Sequence, residues 1–394
     1  MNLLMIGYRR DALEAAQARG WNAYFLVDST RQPPRKACDW AAVNLDSPPE
    51  TLAATCLRLT GNRPVDAIIA LVEAAVVPAA RLREHLGLDG LSVAVASRCH
   101  DKRLMKRALQ AAEIPCARFE EVTPSTHADE LVARLGLPLV LKAPDSSGGR
   151  GTRICRSPDE VSRPLSPGLM AESFIDGVEY SVESFVHRGE VLFFNVTSYL
   201  RPGWANIVPA ALDAERLGEI AALNQRTLRA LGITRGVTHL EFFAGDGIDS
   251  IGEVAVRPPG GALMELITDA YGFDAWQAFL EVELGRRPAC NSEASSVEGV
   301  YFLHPGPGQV VRVHGVTEAR ALPHIKTLTC RVSPGDAIDP RQGVGQSVGR
   351  IRASGPHYDQ VTRALLNAHQ LVEIELAPGA PVSTSVDKFE HPGG

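Results

Sequence analysis

Residues 139–155 read Leu139-Val140-Leu141-Lys142-Ala143-Pro144-Asp145-Ser146-Ser147-Gly148-Gly149-Arg150-Gly151-Thr152-Arg153-Ile154-Cys155. An apolar strand carrying one lysine runs into a loop rich in glycine and serine, and residues 152–155 return as a second strand. A lysine among apolar neighbours is costly unless it meets an anion. A glycine-rich loop lets backbone N–H groups close over phosphate oxygens. No Gly-Lys-Ser or Gly-Lys-Thr opens a helix, so this is not a Walker loop. Alone, the stretch reads equally well as a phosphate cradle or as an ordinary hairpin with a snorkelling lysine.

Further along, Glu241 lies in His239-Leu240-Glu241-Phe242-Phe243 and Glu253 in Ile251-Gly252-Glu253-Val254-Ala255-Val256-Arg257. Strands over 238–243 and 248–256, joined at Gly245-Asp246-Gly247, form a hairpin that sets the two carboxylates side by side on one face. Adjacent carboxylates in an apolar setting repel, and a divalent cation relieves the repulsion. Mg²⁺ is the expected ion, because it takes one or two carboxylates and completes its octahedron with water and phosphate oxygens. Arg257 shares the face of Glu253 and is placed to stabilise charge on a transferring phosphoryl group. A salt-bridged surface hairpin is the competing reading. Between the two regions, Glu172-Ser173-Phe174-Ile175-Asp176-Gly177-Val178-Glu179 offers peptide groups for an adenine edge and Glu179 for ribose hydroxyls, against a plain solvated turn. His239 reaches either a substrate or the opposite face, and Glu183 either an amine substrate or solvent. Glu73, ending a buried strand, reads as a ligand contact or a helix cap. Arg201 and Trp204 read as a cover over the substrates or as packing.

The chain has 394 residues, which fits two or three domains. Residues 3–6, 12–18, 23–27, 67–72 and 75–86 alternate strand and helix, so 1–96 is expected to be a Rossmann-like parallel layer. The loop after the first strand has a single glycine, Gly7, which excludes a dinucleotide fingerprint. Helices are expected over 101–112, 214–231 and 270–284, strands over 169–174, 179–186 and 191–199, a β-rich subdomain from about residue 300, and a frayed tail over 387–394. Lys plus Arg number 40 and Asp plus Glu 46, giving a net charge of −6, a poor balance for general nucleic-acid binding. The apolar tract 67–82 is broken by Glu73, Pro78 and Arg81, so no membrane span is expected. The N-terminus lacks the pattern of a secretory signal. Seven scattered cysteines without a Cys-x-x-Cys pair fit free thiols and a cytoplasmic location.

Taken in order, Asp101-Lys102, Lys142, the Ser-Gly-Gly-Arg-Gly loop, Glu172 with Gly177 and Glu179, then Glu241, Glu253 and Arg257 resemble the ATP-grasp superfamily over residues 3–285. Within it the chain is most similar to carboxylate–amine ligases of the L-amino-acid (dipeptide) ligase type. The resemblance implies an α/β chain with an ATP-grasp fold: a Rossmann-like domain over 1–96, a small lid subdomain over 97–187 and an α+β catalytic domain over 188–394. It implies that Lys102 and Lys142 contact ATP phosphates and that Ser146, Ser147, Gly148, Gly149 and Gly151 form the lid loop. Glu172 with the backbone at Phe174 and Ile175 would bind adenine, and Glu179 ribose. Glu241 and Glu253 would hold Mg²⁺, and Arg257 would contact the γ-phosphate and an acyl-phosphate. Glu183, His239, Gly260 and Gly261 would face the substrates, a small carboxylic acid and an amine. Relatives carry Asn where this chain has Ala255, which leaves the metal count at one or two. The implied activity is ATP-dependent amide or peptide bond formation. The alternatives are a biotin-carboxylase-like or purine-pathway-like ligase and an ATP-binding module without turnover. No nucleic-acid or membrane partner is implied, and a homodimer stays open.

Overall fold

The computed structural model describes residues 1–31, 38–146, 148–163, 165–245, 247–341, 343 and 346–377. Ser147, the turn residue Asp246 and the tail 387–394 lie outside the described residues.

Leu3, Leu4, Met5 and Ile6 are all buried, as a strand covered on both faces requires. Strand Asn2–Ile6 pairs in parallel with Asn22–Asp28 on one side and Ala67–Ala70 on the other, and Asp39–Val43 adds the outer strand. Helices Arg10–Ala18, Pro49–Leu59 and Val76–Leu86 cover this sheet, the last stopping at Gly87 in the left-handed conformation (φ 66°). A side chain at Gly7 (φ +87°) would meet Val72 Cγ2 at 2.6 Å. Only glycine allows the loops after the first and fourth strands to touch at the carboxyl edge, where α/β sheets bind ligands.

Leu139–Lys142 and Arg153–Cys155 form the expected antiparallel hairpin. Met170–Ser173 and Phe119–Glu121 extend it to four strands. Leu131, Leu135, Leu139, Leu141, Cys155 and Val161 form its small apolar core.

The large sheet has eight strands. Its order runs from Asp249–Val256 through Arg235–Ala244, Val178–His187, Glu190–Arg201, Ala205–Val208, Val297–Leu303 and Gly349–Gly355 to Ile325–Cys330. The boundary expected after residue 187 therefore falls at the end of a strand paired on both sides inside this sheet. Val178–His187 belongs with the eight-stranded sheet, and the last strand of the four-stranded sheet in sequence ends at Ser173. This strand alternates. Val182 and Val186 face one core, with helices Lys102–Ala111 and Ala214–Leu231, while Ser181 and Glu183 point to the other side. Val182, Phe185 and Val186 are fully buried, each contributing about 1.5–3 kcal/mol relative to exposure.

Helix Ala214–Leu231 matches its expected bounds because both caps are in the sequence: Asp213 accepts from the Arg216 N–H at 2.8 Å, and Gly232 turns left-handed at φ 76°. The helix expected over 270–284 is two helices, Leu263–Tyr271 and Ala275–Glu283. Gly272 (φ 68°) ends the first, and Asp274 caps the second by accepting from Gln277 N–H. The β-rich segment from residue 300 also holds helix Tyr358–Leu371, whose Val361, Ala364, Leu365 and Ala368 pack under the sheet.

Candidate active site

The site is built on the face of the large sheet opposite helix Ala214–Leu231. His239 and Glu241 lie two residues apart on one strand, and Glu253, Ala255 and Arg257 alternate along its neighbour. The register pairs Glu241 directly with Glu253, and His239 with both Ala255 and Glu183. The two carboxylates expected to share a face do so.

Helix Lys102–Ala111 brings in the first cation. Its N-cap Asp101 accepts from Arg103 N–H, which fixes the start of the helix at Lys102. Lys102 Nζ lies 3.2 Å from Glu253 Oε1 and donates to the carbonyl of Ser146 at the root of the glycine loop. One side chain thus joins the acidic hairpin to the lid. The loop continues through Gly148, Gly149 and Gly151, all left-handed (φ 64°, 69° and 69°). It passes against the C-terminal segment, where a side chain at Gly343 would meet Arg150 Cγ at 3.6 Å.

Lys142 ends its strand with its ammonium 2.8 Å from Glu172 Oε2. Lys106, fully buried one helical turn after Lys102, sits 3.4 Å from Glu172 Oε1. The expectation that the Glu172 side chain binds adenine is corrected here: its carboxylate is buried and committed to two lysines. A base would have to be read by backbone groups at Phe174 and Ile175, and the Phe174 N–H already donates to the Pro138 carbonyl at 3.3 Å. Burial would raise Glu172, but Lys106 and Lys142 hold it below the usual carboxylate range. Lys106 was not singled out from sequence; its spacing on an otherwise charged helix looks like a solvated face.

Glu183 is corrected too. The sequence reads it as facing an amine substrate or solvent, and it meets neither: it is completely buried. Ser181 Oγ (2.7 Å), Asn195 Nδ2 (3.0 Å) and Thr197 Oγ1 (2.6 Å) donate to it, and His239 Nδ1 lies 2.8 Å away. The strand register explains this, because Asn195 is its direct cross-strand partner on one side and His239 on the other. Glu183 holds His239, whose Nε2 lies 3.3 Å from Glu241 Oε1. Burial alone would lower His239, but the hydrogen bonds to Glu183 and Glu241 prevail and push it up to about 10.

The acids crowd one another. Burial, then repulsion from Glu241, raises Glu179 to about 8. Burial also raises Glu253, with Lys102 opposing and Glu241 reinforcing the rise. For Glu241, burial is outweighed by His239 and Lys102, and the carboxyl falls below its ordinary value. A divalent cation would relieve this repulsion, and two carboxylates suit Mg²⁺. Among the described residues no cluster of three His, Cys, Asp or Glu side chains forms a metal site. Protein donors would thus be Glu241 and Glu253, leaving the remaining positions to water and phosphate oxygens. Ala255 presents only a methyl group there.

Arg257 stands at the end of the hairpin strand. Its Nε donates to Glu73 Oε2 at 2.9 Å, and its Nη1 to the Pro258 carbonyl at 3.1 Å. Glu73 opens the short 3-10 helix that follows strand Ala67–Ala70, and it also meets His100 Nδ1 at 3.0 Å. Gly260 and Gly261 follow Arg257 closely. Gly261 is left-handed (φ +61°), and its carbonyl accepts from Asn206 Nδ2 at 2.9 Å. Arg201 and Arg341 both lie over the Trp204 ring, at 4.9 and 3.8 Å from its centroid.

Known proteins share this architecture. Residues 107–264 match the ATP-grasp domain family, and residues 300–377 match the L-amino acid ligase C-terminal domain 2 family. An L-arginine-specific L-amino acid ligase of Bacillus subtilis is 26% identical over 310 residues, covering 73% of this chain and 75% of that protein. A formate-dependent phosphoribosylglycinamide formyltransferase of Parasynechococcus marenigrum is 28% identical, covering 84% of this chain and 89% of its own length. The crystal structure of an L-amino acid ligase from Bacillus licheniformis superposes with a TM-score of 0.79 at 22% identity, covering 96% and 99% of the two chains. No helix among the described residues is long and apolar enough to cross a membrane. The chain thus contains an ATP-grasp domain over residues 107–264 and matches the C-terminal domain 2 of the L-amino acid ligases over residues 300–377.

Proposed function

We propose that the protein uses ATP to convert a small carboxylic acid into an acyl-phosphate and joins it to the amine of an amino acid, releasing ADP and phosphate. The observation that supports this is the opposed pair Glu241 and Glu253, with Lys102 at 3.2 Å from the second and Arg257 two strand positions beyond Ala255.

Carboxylate and γ-phosphate are both anions, so their encounter must be screened. Bound Mg²⁺ would supply that screening between phosphate oxygens, held by Glu241 and Glu253. Lys102 and Lys142 are the nucleotide-facing cations, each oriented by a carboxylate, Glu253 or Glu172. Arg257, steadied by Glu73, faces the transferring phosphoryl group. Ser146, Gly148, Gly149 and Gly151 form the cover that shields an acyl-phosphate from water. Glu179 serves the ribose side of the nucleotide, and His239 with Gly260 and Gly261 lines the acid's side. With no oxygen donor at Ala255, the pair of glutamates would hold one ion.

The test is ADP release from purified protein with amino acids supplied singly and in pairs. Release that depends on an acid and an amine together supports the reading, and none with any pool contradicts it. The likeness to a formate-dependent formyltransferase motivates a second reading, ligation onto a purine-pathway metabolite, and ADP release that depends on formate or bicarbonate would favour it.

A further inference from the structure

Arg9 closes the turn after strand Asn2–Ile6, one residue before helix Arg10–Ala18. Its Nε is sealed from solvent without a hydrogen-bond partner, and the side chain forms no ion pair among the described residues. A half-buried guanidinium whose Nε is shut off from water without a partner is costly, and an anion that the polypeptide does not supply would offset that cost.

The surroundings show where that anion would lie. Gly7 packs on Val72, which puts the Arg9 turn beside Glu73 and so beside Arg257. Burial first, and then the Arg257 charge, pull Arg9 below its ordinary value. Arg257 has Glu73 as counter-ion, and Arg9 has no equivalent. Asp11, in the first turn of the helix, acts on Arg9 through space without pairing with it. The N-terminus of helix Arg10–Ala18 adds a partial positive charge in the same place.

We propose that Arg9 binds the free α-carboxylate of the amino acid that supplies the amine. This rests on the ligase reading above. The carboxylate that is phosphorylated must approach the metal-binding hairpin, where Arg257 already serves it. Arg9 comes from a different element, the turn after the first strand of the parallel sheet. A guanidinium fork pairs with a carboxylate through two parallel hydrogen bonds, a geometry lysine does not reproduce. The α-carboxylate of the amine substrate keeps its charge through acyl transfer and therefore needs a permanent counter-charge.

The test uses the full chain and the amino-acid pair that gives most ADP. Arg9→Gln is expected to raise KM for the amine-supplying amino acid by at least about tenfold and to leave KM for ATP within about twofold, with Arg9→Lys intermediate. The wild-type protein is expected to reject the corresponding amino-acid amide, and Arg9→Gln to use acid and amide alike. An Arg9→Gln variant that still prefers the free acid overturns the proposal. A thermal melt separates a folding effect, because removing an unpaired cation should leave the melting temperature equal or higher. Calorimetry with ADP, Mg²⁺ and the same amino acid, or with the amino-acid pool if nothing turns over, judges Arg9 independently of catalysis. Binding by the wild type but not by Arg9→Gln supports the assignment even if the ligase reading fails, and equal binding, or none by either, overturns it.

Discussion

Arg257 Nε donates to Glu73 Oε2 at 2.9 Å, a bond between residues 184 positions apart that ties the acidic hairpin to the turn after the last strand of the N-terminal layer, Ala67–Ala70. The position of Arg257 thus depends on a residue from that short 3-10 turn. Glu73→Gln keeps the shape of the contact and loses its charge, about 1–2 kcal/mol of a charge-assisted bond. The expected result is a kcat lower by about tenfold with ATP binding retained. Steady-state kinetics on the variant check this, and an unchanged kcat would remove Glu73 from the account.

The proposed function gives Lys142 a nucleotide phosphate and Glu253 the metal ion. Lys142→Ala and Glu253→Gln are each expected to abolish turnover while circular dichroism and melting stay close to wild type. Normal activity in either variant contradicts the assignment.

Glu183 predicts a different outcome. Its carboxylate has hydrogen-bonding neighbours in Ser181, Asn195, Thr197 and His239. Glu183→Ala leaves those groups unsatisfied in a buried site and should cost about 3 kcal/mol of stability, read by urea denaturation. A variant as stable as wild type that has lost only amine use would return Glu183 to the substrate.

Much of the fold followed from local signals. Asp213 and Gly232 bracket one helix, Gly87 ends another, and the alternation of Glu179 to Val186 sets one strand. The paired glutamates followed from the hairpin alone. The remainder depends on contacts that local pattern does not carry. Lys106 looks like one more solvated lysine until the lid sheet brings Glu172 over it. Glu183 looks like a site acid until its cross-strand neighbours are known. Helix Tyr358–Leu371 lies in a segment dominated by short strands and turns. The break at Gly272 and Asp274 was visible in sequence but was bridged by the apolar pattern on either side.

His100 gives a pH signature. Its hydrogen bond with Glu73 is the leading cause that raises it above the ordinary 6.5. A raised histidine contributes stability that is fully present below its unfolded value and is lost as pH rises through the folded value. Glu73 is depressed despite burial, because His100 and Arg257 hold it charged, so its share is lost only as pH falls through its folded value, below the ordinary 4.5. The stability lost in His100→Asn should therefore be largest at about pH 6 and shrink towards about pH 9. Denaturation midpoints of both proteins across that range measure it, and a pH-independent difference would contradict the charged pair.

The central claim is that Lys102, Lys142, Arg257 and a divalent ion on Glu241 and Glu253 let two anions react. Phosphate and ADP release measured with Mg²⁺, ATP and amino-acid pairs tests it most directly. The account predicts equal release of both products, dependent on metal, acid and amine together, with a new amide detectable by mass spectrometry. ATP turnover indifferent to added acid and amine, or no turnover under any combination, would contradict it.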